Sequence, residues 1–158
     1  MKGAALSFRP ATAADADLLR DITRTAYAKW VPVIGREPLP MRADPLNAIR
    51  NHRVEIVLDG ADAVAAVEMV PEADCLLVEN IAVRPDRQKR GYGDAILQRV
   101  EQVARSLRLP AVRLYTNKRF ETNVAWYLRR GFVVTREEEF PNGSIAIHMR
   151  WTLPVQVA

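Results

Sequence analysis

Val83-Arg-Pro-Asp-Arg-Gln-Lys-Arg-Gly-Tyr-Gly93 is the stretch that decides how this 158-residue chain is read. The run before it, Leu76 to Val83, is almost continuously apolar, as expected of a strand covered on both faces, and Pro85 ends it. After Gly91 a longer periodic run begins, with Ile96, Val100, Val103 and Leu107 along one side and Arg99, Gln102 and Arg105 directed elsewhere. That spacing predicts an amphipathic helix. Gly91 and Gly93 therefore open a turn between strand and helix, where backbone N–H groups stand unshielded by bulky side chains. The first amides of a helix lack intrahelical partners and its dipole favours negative charge there. Such a turn makes an anion cradle suited to phosphate or pyrophosphate. Arg84, Arg87, Lys89 and Arg90 add positive charge beside it, although a short basic run is also what a solvated surface looks like. A dinucleotide fingerprint would require a third glycine where Ile96 stands, and a P-loop would end in Gly-Lys-Ser/Thr.

Outward from this stretch the remaining elements alternate. Residues 5 to 9 read as a first strand ended by Pro10. Thr12 then starts a helix, with Asp15 in capping-box position and Leu18, Leu19, Ile22 and Ala26 as its apolar stripe. Five prolines or glycines between Trp30 and Pro45 predict a shaped loop or a broken helix, with a short helix over 46 to 51. Val54 to Leu58 and Ala63 to Val70 read as strands joined at Asp59-Gly60, a pair that accepts the positive φ of a tight turn. Val112 to Thr116 is the next strand, and Glu121 to Arg130 the next helix, capped by Gly131. Phe132 to Glu138 and Ser144 to Trp151 form a closing hairpin around Asn142-Gly143. The order β-α-α-β-β-β-α-β-α-β-β describes an α/β (α+β) mixed sheet flanked by helices.

Composition sets bounds. Apolar residues at 49% and charged residues at 27% are ordinary for a globular chain, and residues 1–158 read as a single domain. No apolar run reaches the roughly 20 residues needed to cross a bilayer, and no basic segment followed by an apolar stretch opens the chain, so a cytoplasmic location is expected. Cys75 is the only cysteine, which excludes an intrachain disulfide. The net charge of +4 is modest, and the arginines are interleaved with a phosphate-loop pattern, not with a recognition helix or stacking aromatics, so no nucleic-acid partner is expected. No metal site is expected.

Gln88-Lys-Arg-Gly91-Tyr-Gly93 with its preceding Ile81-Ala-Val-Arg-Pro85 resembles the first signature of the GNAT superfamily of acetyl-coenzyme A-dependent N-acetyltransferases. Asn123-Val-Ala-Trp-Tyr127-Leu-Arg-Arg-Gly131-Phe132 is similar to the second, in which asparagine precedes Tyr-x-x-x-Gly-Phe, and Leu114-Tyr-Thr-Asn117 fits the strand end before it. The resemblance covers Leu6 to Leu153. It implies a mostly antiparallel sheet with splayed strands, acetyl-CoA as cosubstrate, and direct attack by a primary amine of a small molecule or peptide in a ternary complex. It also allows a homodimer.

What the resemblance implies for single residues follows from the same alignment of motifs. Ile81, Ala82 and Val83 would offer main-chain groups to the pantetheine and thioester, with the Ile81 amide as oxyanion donor. Gln88, Lys89, Arg90, Gly91, Tyr92, Gly93 and Asp94 would bind the pyrophosphate, mainly through amides, and Asn117 and Asn123 would also contact the cofactor. Tyr127 would be the general acid for the departing thiolate, because a phenol with an ordinary pKa of about 10 is protonated at neutral pH; the alternative is a tyrosine that fills the helix–sheet interface. An alkylamine needs a base. Glu79 shares a strand face with Ile81 and Val83, and a carboxylate in an apolar strand is costly unless paired or used; the alternative is an arginine partner. His52 and His148 are expected on the surface or in structural hydrogen bonds. Tyr27, Trp30 and Met41 would line the acceptor pocket and Arg36 would hold a carboxylate, against the alternative of a packed, proline-stiffened loop. Glu137, Glu138 and Glu139 read as an exposed acidic edge. A coenzyme A-binding sensor or catalytically degenerate module is the competing function.

Overall fold

A computed structural model describes residues 6–156, so Ala5 of the expected first strand lies outside the described residues. The chain forms two compact units, 6–70 with 79–99 and 71–78 with 100–156.

The first unit begins with β1 (Leu6–Pro10), a 3-10 turn (Ala13–Asp15) and α1 (Ala16–Tyr27). Pro10 is the last residue of β1 and ends it as expected; β1 is an edge strand, where a missing amide donor is tolerated. The Thr12 amide donates to Asp15 Oδ2 at 2.8 Å, and Arg9 grips the same carboxylate at 2.8 and 2.9 Å. That bidentate pair and the Thr12 amide hold the Asp15 carboxyl down at about 2. Leu19, Ile22 and Ala26 of the expected stripe are buried with Ala48, Val54, Ile56, Ala66 and Ala82, while Leu18 is partly buried.

The proline-rich segment is a broken helix: a 3-10 turn (Ala28–Trp30), α2 (Val31–Ile34) and α3 (Leu39–Arg42), interrupted at Gly35, which takes φ 75°. Next come α4 (Pro45–Asn51), β2 (Arg53–Asp59) and β3 (Asp62–Pro71), the two strands antiparallel around Gly60 at φ 61°. β4 (Leu76–Val83) has the expected bounds. Its cover is less complete than expected: Leu76 to Val78 are buried in succession, but beyond them Asn80 and Ala82 are buried while Glu79, Ile81 and Val83 are partly exposed. α5 (Tyr92–Ser106) buries Ile96, Val100 and Val103, but Leu107 lies past its end and is exposed. Arg99 on α5 is not a free surface group. It clasps Glu55, 2% exposed, through two bonds of 2.9 Å.

In the second unit, Leu76 and Leu77 of β4 pair in parallel with Val112 and Arg113 of β5 (Ala111–Asn117). The antiparallel pair of β5 with β7 (Ile145–Thr152) is longer, from Ala111↔Thr152 to Asn117↔Ala146. β6 (Val133–Glu139) pairs antiparallel with β7 around a bulge between Val134 and Arg136. The hydrogen-bonded order is thus β1-β2-β3-β4 in one unit and β4-β5-β7-β6 in the other, a seven-stranded, mostly antiparallel mixed sheet. α6 (Glu121–Arg129) ends at Gly131, φ 99°, where the Phe132 amide reaches back to Tyr127 O at 3.1 Å. No helix among the described residues is long and apolar enough to cross a membrane.

Candidate active site

In the first unit a 3-10 turn (Pro85–Arg87) leads from β4 into the glycine loop. Lys89 takes φ 62° and Gly91 φ 79°, so two left-handed residues, one of them not glycine, turn the chain into α5. The Ala95 amide makes the first helical bond, to Gly91 O at 3.2 Å. Tyr92 and Gly93 precede it and stand at the helix start, where backbone amides lack intrahelical acceptors. Gly93 is therefore the second residue of the helix, which begins directly after Gly91 as the sequence suggests. A Cβ at Gly91 would meet nothing within 4 Å, so no other part of the chain crowds this position.

The charges of the basic run divide. Arg84 is spent on Ala63 O and Asp21 at 2.9 Å each, and Arg87 on Asp62 at 3.0 Å. Lys89 and Arg90 are exposed. Tyr92 is buried, with its hydroxyl donating to Asp59. Gln88 acts as a strut: its Nε2 donates to Val83 O at 3.0 Å, and its Oε1 accepts from Lys29 Nζ at 3.0 Å.

Alternation along β4 places Glu79, Ile81 and Val83 on one face, as expected, and Asn80 and Ala82 on the other. The Asn80 side chain accepts from Tyr27 Oη at 2.9 Å and donates to Thr23 Oγ1 at 3.3 Å; Tyr27 Oη also stands 3.5 Å from Ile81 O. This buried network escaped the sequence reading, although Asn80 within an apolar strand was a visible signal. Trp30 and Met41 are buried, the latter with its carbonyl accepting from Arg24 at 3.0 Å, and Arg36 is exposed. His52 makes a structural pair, its Nδ1 2.5 Å from Glu68 Oε2.

In the second unit Asn117 Oδ1 accepts from the Arg119 amide at 2.9 Å, which shapes the turn into α6. Asn123 is partly buried one helical turn before Tyr127. Tyr127 is buried, with Trp126 at 4.8 Å and Phe132 edge-on at 5.5 Å between ring centroids. Burial pushes its phenol well above the ordinary range, so it is protonated at neutral pH. His148 is also structural, its Nε2 2.9 Å from Glu138 Oε1, and Lys118 pairs with Glu137 at 3.0 Å. Cys75 is buried, and burial together with the Glu72 carboxylate raises its thiol to about 11. No cluster of three potential metal ligands occurs among the described residues.

Several known proteins share this architecture. The PaiA N-acetyltransferase of Thermoplasma acidophilum, crystallised with coenzyme A, superposes with a TM-score of 0.79 at 15% identity, over 94% of this chain and 99% of that one. A GCN5-related N-acetyltransferase from Rhodopseudomonas palustris gives 0.80 at 13% identity, over 97% and 99%. Among curated relatives, the amino-acid acetyltransferase of Neisseria meningitidis serogroup B is 35% identical over 78 residues, which is 49% of this chain and 17% of that protein. The match therefore spans about a sixth of that relative's length. The acetyltransferase (GNAT) domain model matches residues 50–134, more than half of the chain and the part that carries both glycine turns. A strand that ends in an open amide cradle, a second turn sealed by aromatic rings, and that match lead to one conclusion: the chain belongs to the GNAT acetyltransferase family.

Proposed function

We propose that this protein is a cytoplasmic, single-domain N-acetyltransferase that transfers the acetyl group of acetyl-CoA to a primary amine in a ternary complex. The observation that carries the reading is the helix-start cradle at Gly91 to Asp94, with unfilled space above Gly91. A diphosphate fits amides of this kind because they offer positive partial charge with no side chain in the way. The likeness to an acetyltransferase crystallised with coenzyme A supports the same cosubstrate, and the likeness to amino-acid acetyltransferases makes an α-amino group a reasonable acceptor to test first.

Acetyl-CoA supplies an activated thioester. Main-chain groups of Ile81, Ala82 and Val83 on the partly exposed half of β4 would hold the pantetheine, and the Ile81 amide would face the oxygen on which charge develops during amine attack. Loss of one such donor typically slows a reaction by about 10²–10³. Gln88 to Asp94 would take the diphosphate, with Asn117 and Asn123 as further cofactor contacts. Glu79 would remove the amine proton, and Tyr127, kept neutral by burial, would protonate the departing thiolate. Tyr27, Trp30, Arg36 and Met41 belong to the acceptor side in this reading.

The test is turnover: thiol release from acetyl-CoA measured against a panel of amino acids, polyamines and peptide N-termini. Acceptor-dependent release is expected for at least one class. Tight coenzyme A binding with no release across the panel would favour the coenzyme A-binding sensor instead.

A further inference from the structure

Lys29 reaches the glycine loop from a distant part of the chain, the 3-10 turn that follows α1. Its ammonium donates to Gln88 Oε1 at 3.0 Å and stands 5.2 Å from the centroid of the Trp30 ring. Arg84 and Arg87 are matched by carboxylates; Lys29 is matched by a neutral amide oxygen. Lys29 is exposed, yet desolvation by its neighbours and, after it, the charge of Lys89 lower its pKa. Lys89 is itself held at φ 62°, a conformation that side chains with a Cβ rarely adopt. Two ammonium groups that repel one another are thus held beside a helix start of the same sign. An anion bound there would relieve the repulsion and give the Lys89 geometry a purpose.

We infer that Lys29 is a second phosphate-binding cation, which takes the diphosphate of the cosubstrate together with Lys89 and so couples the loop to the segment 28–42. This rests on the acetyl-CoA reading given above. Coupling follows from the covalent order: Lys29 is joined directly to buried Trp30 and then to α2 and α3, the acceptor-side segment. An ammonium drawn onto phosphate restrains that segment as well.

Calorimetric titration of coenzyme A, 3′-dephospho-coenzyme A and pantetheine into the parent protein and into Lys29→Gln and Lys29→Arg tests this. Lys29→Gln is expected to bind coenzyme A and its dephospho form about tenfold more weakly, equally for the two, with a shallower salt dependence, while Lys29→Arg recovers most of the loss. Hydrogen exchange of residues 28–42 in the parent, which needs no variant, is expected to slow with coenzyme A and not with pantetheine. Unchanged affinity and salt dependence in Lys29→Gln, a loss confined to coenzyme A itself, or exchange in 28–42 that ignores coenzyme A would each overturn the inference while leaving the cosubstrate reading standing. A parent protein that fails to bind coenzyme A would overturn both.

Discussion

Gly91 and Gly131 sit at the two turns that carry the family's signatures, and both take a positive φ, 79° and 99°. Their surroundings are opposite. A Cβ built on Gly91 meets nothing within 4 Å, whereas one on Gly131 meets the Trp151 ring at 3.5 Å. Around the first turn stand exposed cations and helix-start amides; around the second, Tyr127, Phe132 and Trp151 are packed with centroids 5.5 and 5.8 Å apart. The same residue type thus serves two ends. At the first, lack of a side chain leaves room for something outside the chain, and at the second it lets a helix end close onto its own aromatic core.

Substitutions can break that contrast. Tyr127 is the member of the packed turn proposed to act in chemistry, so Tyr127→Phe should slow turnover by about 10²–10³ with coenzyme A affinity almost unchanged; equal turnover would return Tyr127 to packing alone. Gly91→Val should weaken acetyl-CoA about a hundredfold, since the new side chain occupies the space proposed for phosphate, yet lower the melting temperature little beyond the strain of the positive φ. If Gly91→Val binds as the parent does, the open turn is not a ligand site. Gly131→Val should carry the same positive-φ strain, about 1–3 kcal/mol, and in addition crowd the Trp151 ring that stands 3.5 Å from the new Cβ. It should therefore lose more stability than Gly91→Val in urea unfolding while binding coenzyme A when folded; an equal loss in the two variants would mean that the second turn is no more tightly packed than the first.

The smallest effect concerns neither turn and serves as their control. Asp15 is held down at about 2 by Arg9 and the Thr12 amide, below its ordinary value of 3.8. Its contribution is therefore present above about pH 4 and lost as pH falls through about 2. Asp15→Asn should cost about 1 kcal/mol near neutrality and flatten the fall in stability between pH 4 and pH 2, without altering coenzyme A binding. An unchanged acid limb would show that the Arg9 pair contributes nothing.

Much of the fold was legible because its signals are local. Asp59-Gly60 and Asn142-Gly143 read as turns, Leu76–Val83 as a strand with both ends right, and Thr12 with Asp15 as a helix start. Each depends on a few adjacent residues. Leu107 misled for a related reason: whether a leucine is the last core position is decided by neighbours in space. The glycine loop was found, and α5 begins directly after Gly91 as expected; that Lys89 takes the loop's other left-handed φ was not foreseen, and nothing in a lysine announces that. Lys29 with Gln88, Asn80 with both Thr23 and Tyr27, and Arg99 with Glu55 join residues 44 to 59 positions apart. Pairings of that range are fixed by the fold and leave no periodicity to read.

The account stands most directly on the amides at the start of α5. Titration of acetyl-CoA into nitrogen-15-labelled protein, followed by amide chemical shifts, reads them one by one. The largest saturable changes should fall on Gln88 to Asp94, with Lys29 and Trp30 following. Saturable shifts that leave this segment untouched, or no shifts at millimolar acetyl-CoA, would contradict the central claim.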